Sequence, residues 1–170
     1  RFSLIGVEKE THKGKLLINM DSQAPNKAVK EALLSGTLVL PEMDTLVEVK
    51  PEYTFGNSRI DFYVKDEKGK EGLIEVKGVT LEKDGVASFP DAPTERGIKH
   101  LMELEKAAKE GMNAFALFVV QMKGVHTFKP NDERHKAFGD ALRHAASNGV
   151  KVLAYDCIVG EDSLILDKPI

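Results

Sequence analysis

A single cysteine, Cys157, stands in a chain of 170 residues. That excludes an internal disulfide and a cysteine metal cluster, and it points to a reducing compartment. Long apolar runs are missing too: the longest, AFALFVV at 114–120, falls far short of a bilayer span. No basic-then-apolar leader opens the chain. A cytoplasmic protein without a membrane partner is the expectation. Positive charge is not in surplus, since 24 Lys+Arg against 27 Asp+Glu leave a formal net charge of −3. This excludes coating nucleic acid by bulk charge, though not through a local basic site. Neither G-x-x-x-x-G-K-S/T nor G-x-G-x-x-G occurs, so no nucleotide cofactor of those types is expected.

What is present suits a packed α/β domain. Hydrophobic residues make up 42% and charged residues 30%, enough for a core and a polar surface. The length suits one domain, or one domain with an appendage. Residues 2–8 and 15–20 are apolar runs around a polar turn at Lys13 and Gly14, which predicts a hairpin. Arg1 stands where Met would and enters that pattern directly, as if something upstream were missing. Pro25 sits in the first turn of a helix striped by Val29, Ala32 and Leu33 and ended by Gly36. Residues 46–49, 60–64 and 72–76 are short and rich in β-branched side chains, hence strands, the last two joined by a polar turn at 65–70. A loop with Pro90 and Pro93 leads to a helix capped by Thr94, with Gly111 beyond its end. The run 114–121 predicts a central strand covered on both faces. Asp132 is expected to cap a helix striped by Phe138, Ala141, Leu142 and Ala145, which Gly149 closes. Residues 150–155 then form a buried strand and 163–166 an edge strand. The expected order is a short β-hairpin followed by αβββαβαβ, an α/β sandwich with a mixed sheet.

The chemistry concentrates between Ser58 and Lys77. Strand alternation puts Ile60, Phe62 and Val64 on one face and Asp61 on the other. In the next strand Ile74 and Val76 share a face, opposite Glu75 and Lys77. A tight hairpin brings Asp61 beside Glu75, with Lys77 one pleat further on. Two carboxylates in an apolar sheet repel and lose solvation, so the pair needs a compensating cation. Mg²⁺ fits, because it takes carboxylate oxygens and keeps waters for a phosphate or a nucleophile. A lysine alongside can orient the attacking water or stabilise charge in the transition state. Singly, each element is more often bland, since an E-x-K in a strand is usually a solvated pair. The combination is more specific: D-x(13)-E-x-K on a hairpin between two helices resembles the PD-(D/E)XK nuclease core, whose order is αβββαβ.

Longer strings narrow this. SRIDF, EVKGVTL, FPDAPTERGIKHLMEL and GVKVLAY together resemble the sugar fermentation stimulation protein family over nearly the whole chain. The FPDA-x-TERG-x-KHL block is far more specific than E-x-K. The resemblance implies an N-terminal OB-like domain, of which 1–21 is a remnant, followed by a PD-(D/E)XK (restriction-endonuclease-like) domain over 22–170. It also implies DNA as partner and a link to regulation of sugar, particularly maltose, metabolism. Carried over by position, Asp61 and Glu75 match the metal-binding acids and Lys77 the lysine, with Ile60 where the motif has proline. Glu31 on the first helix and Glu52 before Tyr53 are alternatives for a third acid. The implied cofactor is Mg²⁺, with Mn²⁺ as its substitute, and the implied reaction is phosphodiester hydrolysis. A DNA-binding transcriptional regulator without catalysis is the rival. A homodimer stays open.

The helix after the E-x-K strand adds a second signal. Arg96, Lys99 and Glu103 fall at i, i+3, i+7 on one face, with His100 at its border, opposite Ile98, Leu101, Leu104 and Ala108. Such a face is often simply solvated. By comparison with the nuclease core it flanks the active site, which makes Arg96, Lys99 and His100 candidates for DNA contact. Asp91 follows the E-x-K strand instead of preceding it and is expected in a turn or cap. His12, His126, His135 and His144 show no metal-ligand spacing, and Cys157 is expected to pack as a small hydrophobe.

Overall fold

The computed structural model describes residues 6–11 and 13–170. Arg1, the start of the strand expected over 2–8, and His12 lie outside the described residues. In chain order the elements are β1 Gly6–Thr11, β2 Gly14–Asn19, α1 Ala24–Ser35, β3 Leu46–Phe55, β4 Ser58–Asp66, β5 Glu71–Val79, β6 Leu81–Lys83, β7 Val86–Phe89, α2 Glu95–Lys109, β8 Asn113–Val120, β9 Thr127–Pro130, α3 Asp132–Ser147, β10 Val150–Val159 and β11 Leu164–Pro169. A six-stranded sheet runs in the order β11-β10-β8-β5-β4-β3. Strands β5, β8 and β10 are parallel, and β3, β4 and β11 join antiparallel at the two edges. The mixed-sheet α/β sandwich is the fold the chain patterning predicts.

Strand β8 shows why. All but its first residue are buried: Phe115, Leu117 and Val119 enter the layer beneath α1, while Ala114, Ala116, Phe118 and Val120 enter the layer beneath α2 and α3. A strand covered on both sides has no polar face to alternate with, so it reads as a continuous apolar run. Helix α1 carries Pro25 in its first turn and stops at Gly36, which adopts the left-handed conformation (φ 80°) that glycine accepts without strain. Helix α2 is capped as expected, the Thr94 hydroxyl accepting the Gly97 N–H at 2.9 Å.

Three expectations are corrected. The stretch after Val79, read as a loop, contains β6 and β7, which form a separate three-stranded sheet with β9. Strands of three or four residues are too short for a periodic signal, and β7 pairs in parallel with a strand far along the chain. Phe89 and Phe128 anchor this sheet on Phe118: the Phe89 ring is tilted against it at 5.5 Å between centroids, and Phe128 stacks on it at 4.5 Å. Asp132 does not cap α3: the N-cap is Asn131, and the Asp132 carboxylate pairs with Arg143 instead. Finally, Ile60 does not share a face with Phe62 and Val64. Ile60 and Tyr63 belong to the α2/α3 layer, Phe62 and Val64 to the α1 layer. The alternation slips by one residue at Asp61.

Candidate active site

The slip marks the place where β4 leaves β5. The two strands pair from Lys65↔Glu71 to Phe62↔Ile74, and the ladder stops there. At the next position side chains replace the backbone bonds. Asp61 Oδ2 accepts the Val76 N–H at 2.7 Å, and Glu75 Oε1 accepts the Asp61 N–H at 3.3 Å. On the outer side Glu52 adopts φ 56° and drops out of the β3–β4 ladder between Pro51↔Phe62 and Tyr53↔Ile60. The register is the same on either side of this gap, so the β3–β4 ladder is interrupted at Glu52 and Asp61 together. Asp61 and Glu75 therefore face one another across a fork in the sheet.

Helix α1 supplies a residue that the sequence did not single out. Asn26 Nδ2 donates to Asp61 Oδ1 at 2.9 Å. The helix can approach because Gly78 has no side chain: a Cβ there would meet Pro25 Cγ at 2.9 Å and Gln121 Oε1 at 2.6 Å. Glu31, one candidate third acid, is exposed and lies about 140° around α1 from Asn26. Glu52, the other, is exposed at the kink beside Asp61. Among the described residues no group of three His, Cys, Asp or Glu side chains has metal-binding geometry.

Glu75 is 4% exposed and carries three contacts. Besides the Asp61 N–H on Oε1, its Oε2 lies 2.9 Å from Lys77 Nζ and 2.5 Å from His100 Nδ1. His100 is therefore not on the solvated border of α2. It is buried, which corrects its assignment as a DNA contact. The spacing held the signal: Gly97, His100, Leu101 and Leu104 fall at i, i+3, i+4, i+7 and are all buried. The charged face also divides. Arg96 is exposed, Lys99 donates to the Asn57 carbonyl at 2.9 Å, and Glu103 is buried against Gly56 with Oε2 lacking a hydrogen-bond partner.

The two acids titrate in opposite directions. Burial, reinforced by the charge of Glu75, pushes the Asp61 carboxyl up to about 6. Burial also works against ionised Glu75, but the His100 hydrogen bond and the Lys77 charge outweigh it and hold Glu75 down at about 2. A counting argument then tests the fit to a cation. Each carboxylate oxygen accepts two bonds. Oε2 of Glu75 is filled by Lys77 and His100, whereas Oε1 and both Asp61 oxygens each accept one bond. The remaining lone pairs belong to hard oxygens of the two acids, the donor set Mg²⁺ takes while keeping its waters. Cys157 is no part of this. It is fully buried on β10 in the α1 layer, and burial pushes its thiol up to about 12.

Residues 23–163 match the model of the sugar fermentation stimulation protein RE domain. A curated sugar fermentation stimulation protein homolog of Clostridium beijerinckii is 54% identical over 164 residues, spanning 96% of this chain and 69% of the relative. One from Clostridium kluyveri is 54% identical over 166 residues, spanning 98% and 70%. The solved structure of Pyrococcus furiosus SfsA in complex with Ca²⁺ superposes with a TM-score of 0.84 at 27% identity, covering 98% of this chain and 69% of that one. Among the described residues no helix is long and apolar enough to cross a membrane.

Proposed function

The chain belongs to the sugar fermentation stimulation protein family, and from that premise we propose that it binds DNA and hydrolyses a phosphodiester at a Mg²⁺-dependent PD-(D/E)XK site. The observation that carries this is the fork, where Asp61 and Glu75 converge and Lys77 Nζ stands 2.9 Å from Glu75 Oε2. A buried Glu75 that raises the proton affinity of a half-buried Asp61 is costly to a fold that does nothing with the pair. The Pyrococcus furiosus relative described with Ca²⁺ supports a divalent cation, since Ca²⁺ and Mg²⁺ both take oxygen ligands.

On this reading Asp61 and Glu75 hold the metal, and Mn²⁺ substitutes for Mg²⁺. The bound ion supplies a Lewis acid and lowers the proton affinity of water at the reacting phosphate. Lys77 places its ammonium at the edge of the pair, where it stabilises charge building on the phosphoryl oxygens. Asn26 and the Val76 N–H hold the Asp61 carboxylate in one orientation. Exposed Arg96, at the start of α2 on the same end of the sheet, contacts the DNA backbone, and Lys99 joins it with donors beyond the one given to Asn57.

One observation favours the second reading, a DNA-binding regulator without catalysis. Lys77 and His100 already compensate Glu75 from within the chain. A single experiment separates the two: labelled duplex and single-stranded DNA incubated with Mg²⁺ or Mn²⁺, comparing wild type, Asp61→Ala and Lys77→Ala, with binding measured in parallel. The nuclease reading expects metal-dependent cleavage that both variants abolish while binding survives. Binding without cleavage in every protein would leave the regulator.

A further inference from the structure

The nuclease motif assigns no work to His100, yet its imidazole is buried at the centre of the acid cluster. Its Nδ1 lies 2.5 Å from Glu75 Oε2 and 3.1 Å from Lys77 Nζ, and Lys77 Nζ reaches the same oxygen at 2.9 Å. An ammonium donates only and a carboxylate accepts only. A bare Nδ1 would turn its lone pair on the carboxylate at 2.5 Å, which is repulsive. The proton therefore sits on Nδ1 and points at Oε2. Both acceptor positions of Oε2 are then filled, one by Lys77 and one by the ring. Oε1 faces Asp61, accepting its N–H at 3.3 Å, on the side where the two carboxyls approach one another.

We infer that His100 is a positioning residue for Glu75 and Lys77. Its Nδ1–H locks Glu75 Oε2 toward α2, turns Oε1 toward Asp61 and the divalent cation, and pins the oxygen on which the Lys77 ammonium rests. The fold makes room for this. Glu75 pairs across the ladder with Ala116, whose methyl leaves space above the carboxylate. One turn before His100, Gly97 lets α2 settle closely, since a Cβ there would meet Thr94 Oγ1 at 3.0 Å and Phe138 Cε1 at 3.1 Å. His100 in this role neither touches DNA nor binds the metal; it acts through Glu75.

The inference rests on the metal-site reading above, and its test keeps the two apart. Asparagine carries its amide nitrogen where histidine carries Nδ1, glutamine carries it where histidine carries Nε2, and leucine carries neither. Mn²⁺ affinity of the full chain, read by electron paramagnetic resonance of the free ion, should fall roughly 10–100-fold in His100→Leu, as for other residues that orient metal ligands. His100→Gln should resemble the leucine variant, and His100→Asn should return most of the affinity. Thermal melting of each variant separates this from loss of fold. Unchanged affinity in a folded His100→Leu protein overturns the proposal, and so does an asparagine variant as weak as leucine. If wild type binds no Mn²⁺, the metal-site reading fails, and the positioning claim is judged on the metal-free protein by nitrogen-edited NMR. A His100 Nδ1–H resonance displaced by Glu75→Gln supports it; one that Glu75→Gln leaves unmoved overturns it.

Discussion

Asp61 Oδ2 accepts the backbone N–H of Val76 at 2.7 Å, so a side chain fills the place where the β4 backbone would otherwise have paired with β5. A buried N–H left without a partner costs on the order of 1–3 kcal/mol. The carboxylate thus closes the sheet and opens the site in one contact.

Its ionisation should be visible in stability. The folded Asp61 carboxyl titrates at about 6 against an ordinary value of 3.8. With the folded value raised, its contribution is present in full below about pH 4 and is lost as pH rises through about 6. The loss is at most on the order of 3 kcal/mol, reduced by the solvent that reaches the half-buried carboxyl. Glu75 has the opposite sign: its contribution is present above its ordinary 4.5 and is lost as pH falls toward about 2. Denaturant unfolding of wild type and Asp61→Asn across this range should give a stability difference that moves against wild type between pH 4 and 6 and then levels off. A difference that stays flat would show that the pair is not strained. At neutral pH, Mg²⁺ should stabilise wild type and leave Asp61→Asn unmoved.

Gly78→Ala tests whether helix α1 holds the site. The new methyl would meet Gln121 Oε1 at 2.6 Å and Pro25 Cγ at 2.9 Å, on the element that presents Asn26 to Asp61. Overpacking of this kind costs about 1–3 kcal/mol. The expected outcome is a lower melting temperature together with weaker divalent-cation binding. Asn26→Ala should reproduce the second effect with little of the first.

Gly56 and Glu103 form a second tight contact at the β3–β4 turn. Gly56 has φ 58°, and a Cβ there would overlap Glu103 Oε2, which is buried without a hydrogen-bond partner. Gly56→Ala should destabilise by about 2 kcal/mol or more, from steric overlap and left-handed strain together. Glu103→Leu removes a buried carboxylate oxygen that has no hydrogen bond and meets Lys106 Nζ only at 3.9 Å, and chemical denaturation should find it neutral or stabilising.

Arg96 and Lys99 are separable on DNA. Replacing exposed Arg96 by alanine should reduce the slope of log affinity against log salt by about 0.9 for one lost contact on duplex DNA without changing the melting temperature. Lys99→Ala should lower both, because Lys99 also ties the Asn57 carbonyl of the β3–β4 turn to α2. An unchanged slope for Arg96→Ala would remove the start of α2 from the interface.

The chain's own chemistry determined a good deal. The uninterrupted apolar run of β8 required a strand covered on both sides, the Thr94 cap and the Gly36 stop set helix ends, and D-x(13)-E-x-K put three charged groups on adjacent strands. These are local signals, carried by backbone preference and by the period of burial, and they survive without knowledge of what packs against what.

Only the tertiary structure decided how the acids meet. Strand alternation taken alone puts Ile60 and Phe62 on one face, yet Glu52 leaves its ladder and the alternation slips at Asp61. The sheet forks, and Asp61 pairs with a backbone N–H on β5. Asn26, 35 residues earlier, and His100, 25 residues after Glu75, join the cluster through helix docking that no spacing rule encodes. The small sheet β6-β7-β9 likewise exists only because distant segments pair. Local pattern names the residues that ionise; long-range packing decides which partner each one finds, and so how its charge is held.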